Sequence, residues 1–199
     1  MPVEKRTVAI LIFEDVELLD FAGPYEVFSS VRKPGSDTER LLEVFTVAEV
    51  SELVTCRNGL VVKPDHTLDS CPAFDLMVVP GGRGTRTAVR RPALIDWIAE
   101  RSETTELTTS VCTGSFLLAE AGLLTGKATT THWGSIEQLR QRYPEVEVKE
   151  NIRWVEAGNI ISSAGVSAGI DMALFITAKL YGSEVASETA RGMEYDYWS

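Results

Sequence analysis

Hydrophobic positions along the chain switch repeatedly between the period of a buried strand and that of a helix. Residues 8–13, Val-Ala-Ile-Leu-Ile-Phe, form an unbroken apolar run rich in β-branched side chains, which suits a strand covered on both faces of a parallel sheet. From 16 to 31 the apolar residues return at helical spacing, and Gly23-Pro24 is expected to kink or restart that helix. Residues 43–49 alternate as a strand, and 53–56 and 60–63, joined across Asn58-Gly59, read as a hairpin. A second buried strand at 74–79 stops at Pro80-Gly81-Gly82. Helical periodicity follows over 93–101, then a short strand at 107–111 that runs into Cys112, then a helix at 116–124 closed by Gly126. A strand at 128–131, a helix at 134–142, a hairpin over 152–163 turning at Gly158-Asn159, and helices over 167–181 and 184–194 complete the pattern.

Strands alternating with helices imply a three-layer α/β/α sandwich around a mostly parallel central sheet. The chain shows no internal repeat, low-complexity stretch or linker, and its most loop-like segment, 33–40, is a surface loop; residues 1–199 read as a single domain. Composition narrows the function. With 44% hydrophobic residues the chain buries enough surface to offset the entropy of ordering, which excludes general disorder. No apolar run approaches the ~18 residues of a membrane span, and the first is too short for a signal-peptide core, so a cytoplasmic protein with no membrane partner is expected. A net charge of −10 repels polyanions and argues against nucleic acid. The one dense basic group, Arg83, Arg86, Arg90 and Arg91, reads more readily as a solvated helix face than as an anion-binding lip. Cys56, Cys71 and Cys112 are odd in number and lack C-x-x-C spacing, so neither a disulfide framework nor a metal site is expected.

In open α/β sheets ligands bind beyond the carboxyl ends of the strands. That rule selects residues 14–20, Gly81-Gly82, residues 112–115 and His132-Trp133. Cys112 stands between a strand and a helix with a glycine two positions on, the placement of a nucleophile elbow. A thiol at a helix N-terminus is expected to have a lowered pKa. In a helix begun near Val16, Glu17 and Asp20 are spaced i, i+3 and share a face, while Leu18 and Leu19 point into the core. Asp20 sits in the apolar run Leu-Leu-Asp-Phe-Ala-Gly-Pro, where a buried carboxyl has a raised pKa and can hold a proton for transfer. Backbone N–H groups at Gly81 and Gly82 could face a ligand as an oxyanion hole does. His132 could orient or deprotonate the cysteine, or equally be satisfied by backbone; Trp133 reads as core.

Taken together, Ser-Val-Cys112-Thr-Gly-Ser, Val-Pro-Gly-Gly, Phe-Glu-Asp-Val-Glu-Leu-Leu-Asp-Phe-Ala-Gly-Pro, Ala-Thr-Thr-Thr-His-Trp and Ala-Gly-Val-Ser-Ala-Gly-Ile-Asp resemble the ThiJ/PfpI superfamily over nearly the whole chain. Within it they are most similar to the isonitrile hydratase branch and to the amidotransferase-like sensor domain of AraC-type regulators. The resemblance implies a flavodoxin-like sandwich, a cysteine at the elbow, no cofactor and a homodimer. The residue after the cysteine is Thr113, where the peptidase-like branch carries a histidine, and this argues against that peptidase activity. Cys112-Thr113 with Asp20 matches the isonitrile hydratase pattern. That pattern implies attack of Cys112 on the isonitrile carbon, proton supply by Asp20, positioning by backbone near Gly82 and Thr113, and release of an N-substituted formamide. Other branches place a protonated glutamate near Glu17, so spacing leaves Glu17 and Asp20 both open as the acid. A free-standing small-molecule or oxidative-stress sensor, and a glyoxalase, deglycase or amidase, are the alternatives.

Overall fold

The computed structural model describes residues 5–196. In chain order the elements are β1 (Arg6–Leu11), α1 (Leu18–Ser30), β2 (Leu42–Ala48), β3 (Val54–Thr55), β4 (Val61–Val62), β5 (His66–Thr67), β6 (Leu76–Val79), α2 (Thr85–Ala88), α3 (Pro92–Ser102), β7 (Leu107–Val111) and α4 (Gly114–Glu120). They continue with β8 (Ala128–Thr129), a 3₁₀ turn (Trp133–Ser135), α5 (Ile136–Arg142), β9 (Glu147–Val148), β10 (Trp154–Ala157), β11 (Ile160–Ser163), α6 (Ala168–Tyr181) and α7 (Ser183–Gly192).

Seven strands form one sheet in the order β10-β11-β7-β6-β1-β2-β5. Every pairing in it is parallel except β10 with β11, which is the predicted hairpin. β1, β6 and β7 lie at its centre, and their runs 8–11, 76–79 and 107–111 are buried at every position, as two covered faces require. Helices α1, α6 and α7 pack on one another and α2 and α3 pack on α4, both groups lying against the sheet, which makes the three-layer α/β/α sandwich expected from the sequence. The Asn58-Gly59 turn joins β3 and β4 as an antiparallel pair. Among the described residues no helix is long and apolar enough to cross a membrane.

Three local expectations fail, each because tertiary contacts outweigh a local signal. Pro24 does not break α1, which runs through it. Gly23 and Gly169 bring α1 and α6 together: a Cβ on Gly23 would meet Ile170 Cγ1 at 2.9 Å, and one on Gly169 would meet Val111 at 3.0 Å and Pro24 at 3.5 Å. Helix α1 starts at Leu18 rather than Val16, so Glu17 is its extended N-cap and not a helical neighbour of Asp20. Leu19, expected in the core, is 37% exposed and Leu18 half-buried. The short strands β5 and β9 and the four-residue α2 were too brief to leave a periodic signal.

Candidate active site

β7 ends at Val111, and the chain turns into α4 through Cys112 at φ 57°. A left-handed φ is unfavourable for any residue with a Cβ, so the turn must be held from outside. The Cys112 N–H reaches the carbonyls of Ser163 and Ala164, each at 3.2 Å. Its carbonyl accepts from Thr131 Oγ1 at 2.8 Å and Ser115 Oγ at 3.2 Å. Only glycine fits at 114, because a Cβ there would lie 2.0 Å from the Val79 carbonyl oxygen. These contacts build the elbow out of β7, β11 and the β8-to-α5 connection at once.

Asp20, on the first turn of α1, is fully buried. Its two carboxyl oxygens are held by backbone: Gly81 N–H donates to Oδ2 at 3.0 Å and Val166 N–H to Oδ1 at 3.1 Å. Val166 is itself at φ 56°, a costly backbone for a β-branched residue, and that geometry is what aims its N–H at Asp20. Gly81 must lack a side chain, since a Cβ would come within 2.4 Å of the Thr113 nitrogen and 3.0 Å of Asp20 Oδ2. The remaining partner of the carboxyl group is the Cys112 thiol.

Burial dominates the protonation of both groups, and their contact adjusts it. Burial pushes Asp20 up to about 7, against the opposing pull of its N–H donors. Burial, then the charge of Asp20, pushes the Cys112 thiol up to about 12. The lowered thiol pKa expected from the helix N-terminus is therefore corrected. α4 has only seven residues, and the hydrogen bond from the Thr113 N–H does not offset loss of water and an adjacent carboxylate. The contact between Cys112 and Asp20 acts oppositely on the two groups: the Cys112 thiol stabilises the Asp20 carboxylate, and that carboxylate holds the thiol proton in place.

The other sequence candidates separate around this pair. Glu17 lies beside it but points to Arg57, whose Nη1 is 2.8 Å from Glu17 Oε2. Gly81 and Gly82 do not present free N–H groups: the first holds Asp20 and the second donates to Thr113 Oγ1 at 3.0 Å. The expected oxyanion hole at these glycines is corrected accordingly. Their role is structural, bringing the β6-to-α2 turn against the elbow, where Thr113 Oγ1 also lies 2.9 Å from Thr85 Oγ1. His132 Nδ1 accepts from the Gly134 N–H at 3.2 Å, so the neutral ring carries its proton on Nε2, which is the backbone-satisfied alternative. Trp133, expected in the core, is 84% exposed. Val166 was missed by sequence reasoning; only a φ value marks it, and nothing in its residue type does. Among the described residues no group of three His, Cys, Asp or Glu side chains is placed to hold a metal. At the C-terminal end, Tyr195 donates to Asp171 Oδ1 at 2.8 Å and so packs on α6; residues 197–199 lie outside the described residues.

Above the pair opens a cavity of ≈ 610 Å³ lined by Cys112, Thr113, Glu17, His132, Trp133 and Val166, with arginines 57, 83 and 86. Cys112 is 6% exposed and forms part of that lining, so the residue borders an open cavity.

The chain matches a family model described as the DJ-1/PfpI family over residues 6–179. The chain belongs to the DJ-1/PfpI family. It is 35% identical to an isonitrile hydratase of Pseudomonas putida, across 94% of this chain and 78% of that protein. It is 34% identical to the HTH-type transcriptional regulator CdhR of Pseudomonas aeruginosa, across 69% of this chain and 40% of the regulator. A crystal structure of a ThiJ/PfpI family protein from Pseudomonas syringae superposes with a TM-score of 0.87 and 29% identity, covering 100% of this chain and 78% of that one. The relatives thus include a named isonitrile hydratase and a named transcriptional regulator, and the choice between such roles rests on the site.

Proposed function

We propose that this chain is a cofactor-independent isonitrile hydratase-like enzyme that adds water to a small molecule, with Cys112 as nucleophile and Asp20 as the group that moves the proton. The observation carrying this reading is the contact between fully buried Asp20 and Cys112, a residue that lines an open cavity. A carboxylate in contact with a thiol accepts its proton as sulfur bonds to an electrophilic carbon, then returns that proton to the product. For an isonitrile the sulfur bonds to the terminal carbon, and the thiol proton, passed through Asp20, ends on the same carbon to give a thioimidate. Water then adds to that carbon with a proton going to nitrogen, and the carbon–sulfur bond breaks. The products are an N-substituted formamide and the free thiol, so no redox partner is consumed. Thr113 holds the sulfur by its N–H, Gly81 and Val166 fix the carboxyl, and Glu17 with Arg57 forms the rim; His132 contributes ring surface and its Nε2–H.

The isonitrile hydratase relative supports this reading. A redox-sensing role is disfavoured by a thiol that is nearly buried and pushed up rather than down, because oxidation proceeds through the thiolate. We place the enzyme in the cytoplasm as a homodimer of one-domain chains. The test is formamide production from cyclohexyl isocyanide. Wild type is expected to turn it over, Cys112→Ala to give none, and Asp20→Asn to lose roughly 10²-fold in kcat. Unimpaired turnover by Cys112→Ala sinks the proposal.

A further inference from the structure

The net charge of −10 makes the interior of the Cys112 cavity unusual. Three arginines line it. Arg57 is neutralised by Glu17, the one carboxylate among the lining residues. Arg83, in the turn after Gly82, and Arg86, on α2, are spaced i, i+3 and both face the cavity. Among the described residues neither of their side chains has a hydrogen-bond, ion-pair or ring partner, whereas Arg91 nearby is paired with Glu49. A second cavity of ≈ 610 Å³ adjoins the first, sharing His132, Trp133 and Val166 with it. Its apolar wall is Ile136, Ile152 and the exposed Trp133, and its charged residues are already paired, Arg153 with Asp171 and Glu150 with Arg140. Each volume suits a small molecule, since ligand sites run from about 300 to 1,000 Å³.

We infer that the Cys112 site takes small molecules bearing an oxyanion group, held by Arg83 and Arg86, on an apolar or aromatic body that lies over Trp133 and Ile152. This deepens the enzymatic reading and rests on the Cys112 cavity being the substrate site. Two uncompensated guanidinium groups lining the cavity present forked donors that match carboxylate or phosphate oxygens, and the exposed indole of Trp133, which lines both cavities, offers aromatic surface. The overall negative charge opposes long polyanions, so the ligand is small.

The test is calorimetric titration of the wild-type chain with phenylacetate, phenyl phosphate and neutral phenylacetamide, repeated on Arg83→Gln/Arg86→Gln. Both positions are exposed, so the double variant is expected to keep the wild-type melting temperature. One of the two anions is expected to bind at least tenfold more tightly than the amide, and which of them does so tells a carboxylate site from a phosphate site. That preference falls to within twofold in the double variant and shrinks as salt is raised. Equal binding of acid and amide, no binding of any of the three, or a preference that survives the double replacement overturns the inference. Anion binding without isonitrile turnover removes the hydratase reading and leaves this site standing; turnover of cyclohexyl isocyanide with no anion preference does the reverse.

Discussion

Asp20 is fully buried and raised to about 7, while an unfolded aspartate ionises near 3.8. The native chain therefore binds one more proton than the unfolded chain between about pH 4 and 7. Its contribution to stability is complete below pH 4, declines as pH rises through that window, and is constant above it. Unfolding free energies of wild type and Asp20→Ala measured from pH 3.5 to 8.5 should converge with a slope of one proton over that interval; parallel curves would mean that Asp20 ionises normally. In the proposed reaction the same pair sets the rate profile. Attack needs Asp20 as carboxylate and Cys112 as thiol, the form present between about 7 and about 12. We expect kcat/KM for a neutral isonitrile to rise tenfold per pH unit up to about pH 7 and then level. Cys112 also carries the cost of its left-handed backbone. Cys112→Gly is expected to be more stable than Cys112→Ala by about 1 kcal/mol in denaturant titrations, since glycine alone enters that region freely.

At the level of elements, the site exists because α1 and α6 meet closely enough to put Asp20 under the elbow. Gly23 against Ile170, and Gly169 against Pro24, are the contact points. Enlarging one of them pushes the helices apart. Gly23→Leu is expected to cost about 1–3 kcal/mol by overpacking and to lower kcat by displacing Asp20 from the sulfur, while cavity binding of the test anions changes less than twofold. Much of this level could be read from the chain. The six-residue apolar run at 8–13, the Asn58-Gly59 hairpin and the strand running into Cys112 each follow from local chemistry, and the elbow was legible because a strand, a cysteine and a glycine must occur in that order to make one. What Pro24 does was not legible, since a proline's local penalty says nothing about the helix packed against it.

For the whole molecule, the proposed homodimer predicts sedimentation at twice the chain mass at micromolar concentration; a monomer under those conditions refutes it. The alternation of strand and helix periods, with no separate linker, determined the three-layer architecture and the end of the sheet at which chemistry belongs, because those properties depend on local periodicity and on the geometry common to parallel sheets. Residue types and spacing also singled out Cys112 and Asp20. The sequence could not decide between Glu17 and Asp20, nor the state of the thiol, nor whether Gly81 and Gly82 face a ligand. Those depend on partners distant in the chain: Arg57 taking Glu17, Val166 and Gly81 taking Asp20, Thr113 taking Gly82. Protonation and hydrogen bonding are settled by what water is excluded and which donors converge, and only the folded arrangement brings those groups together.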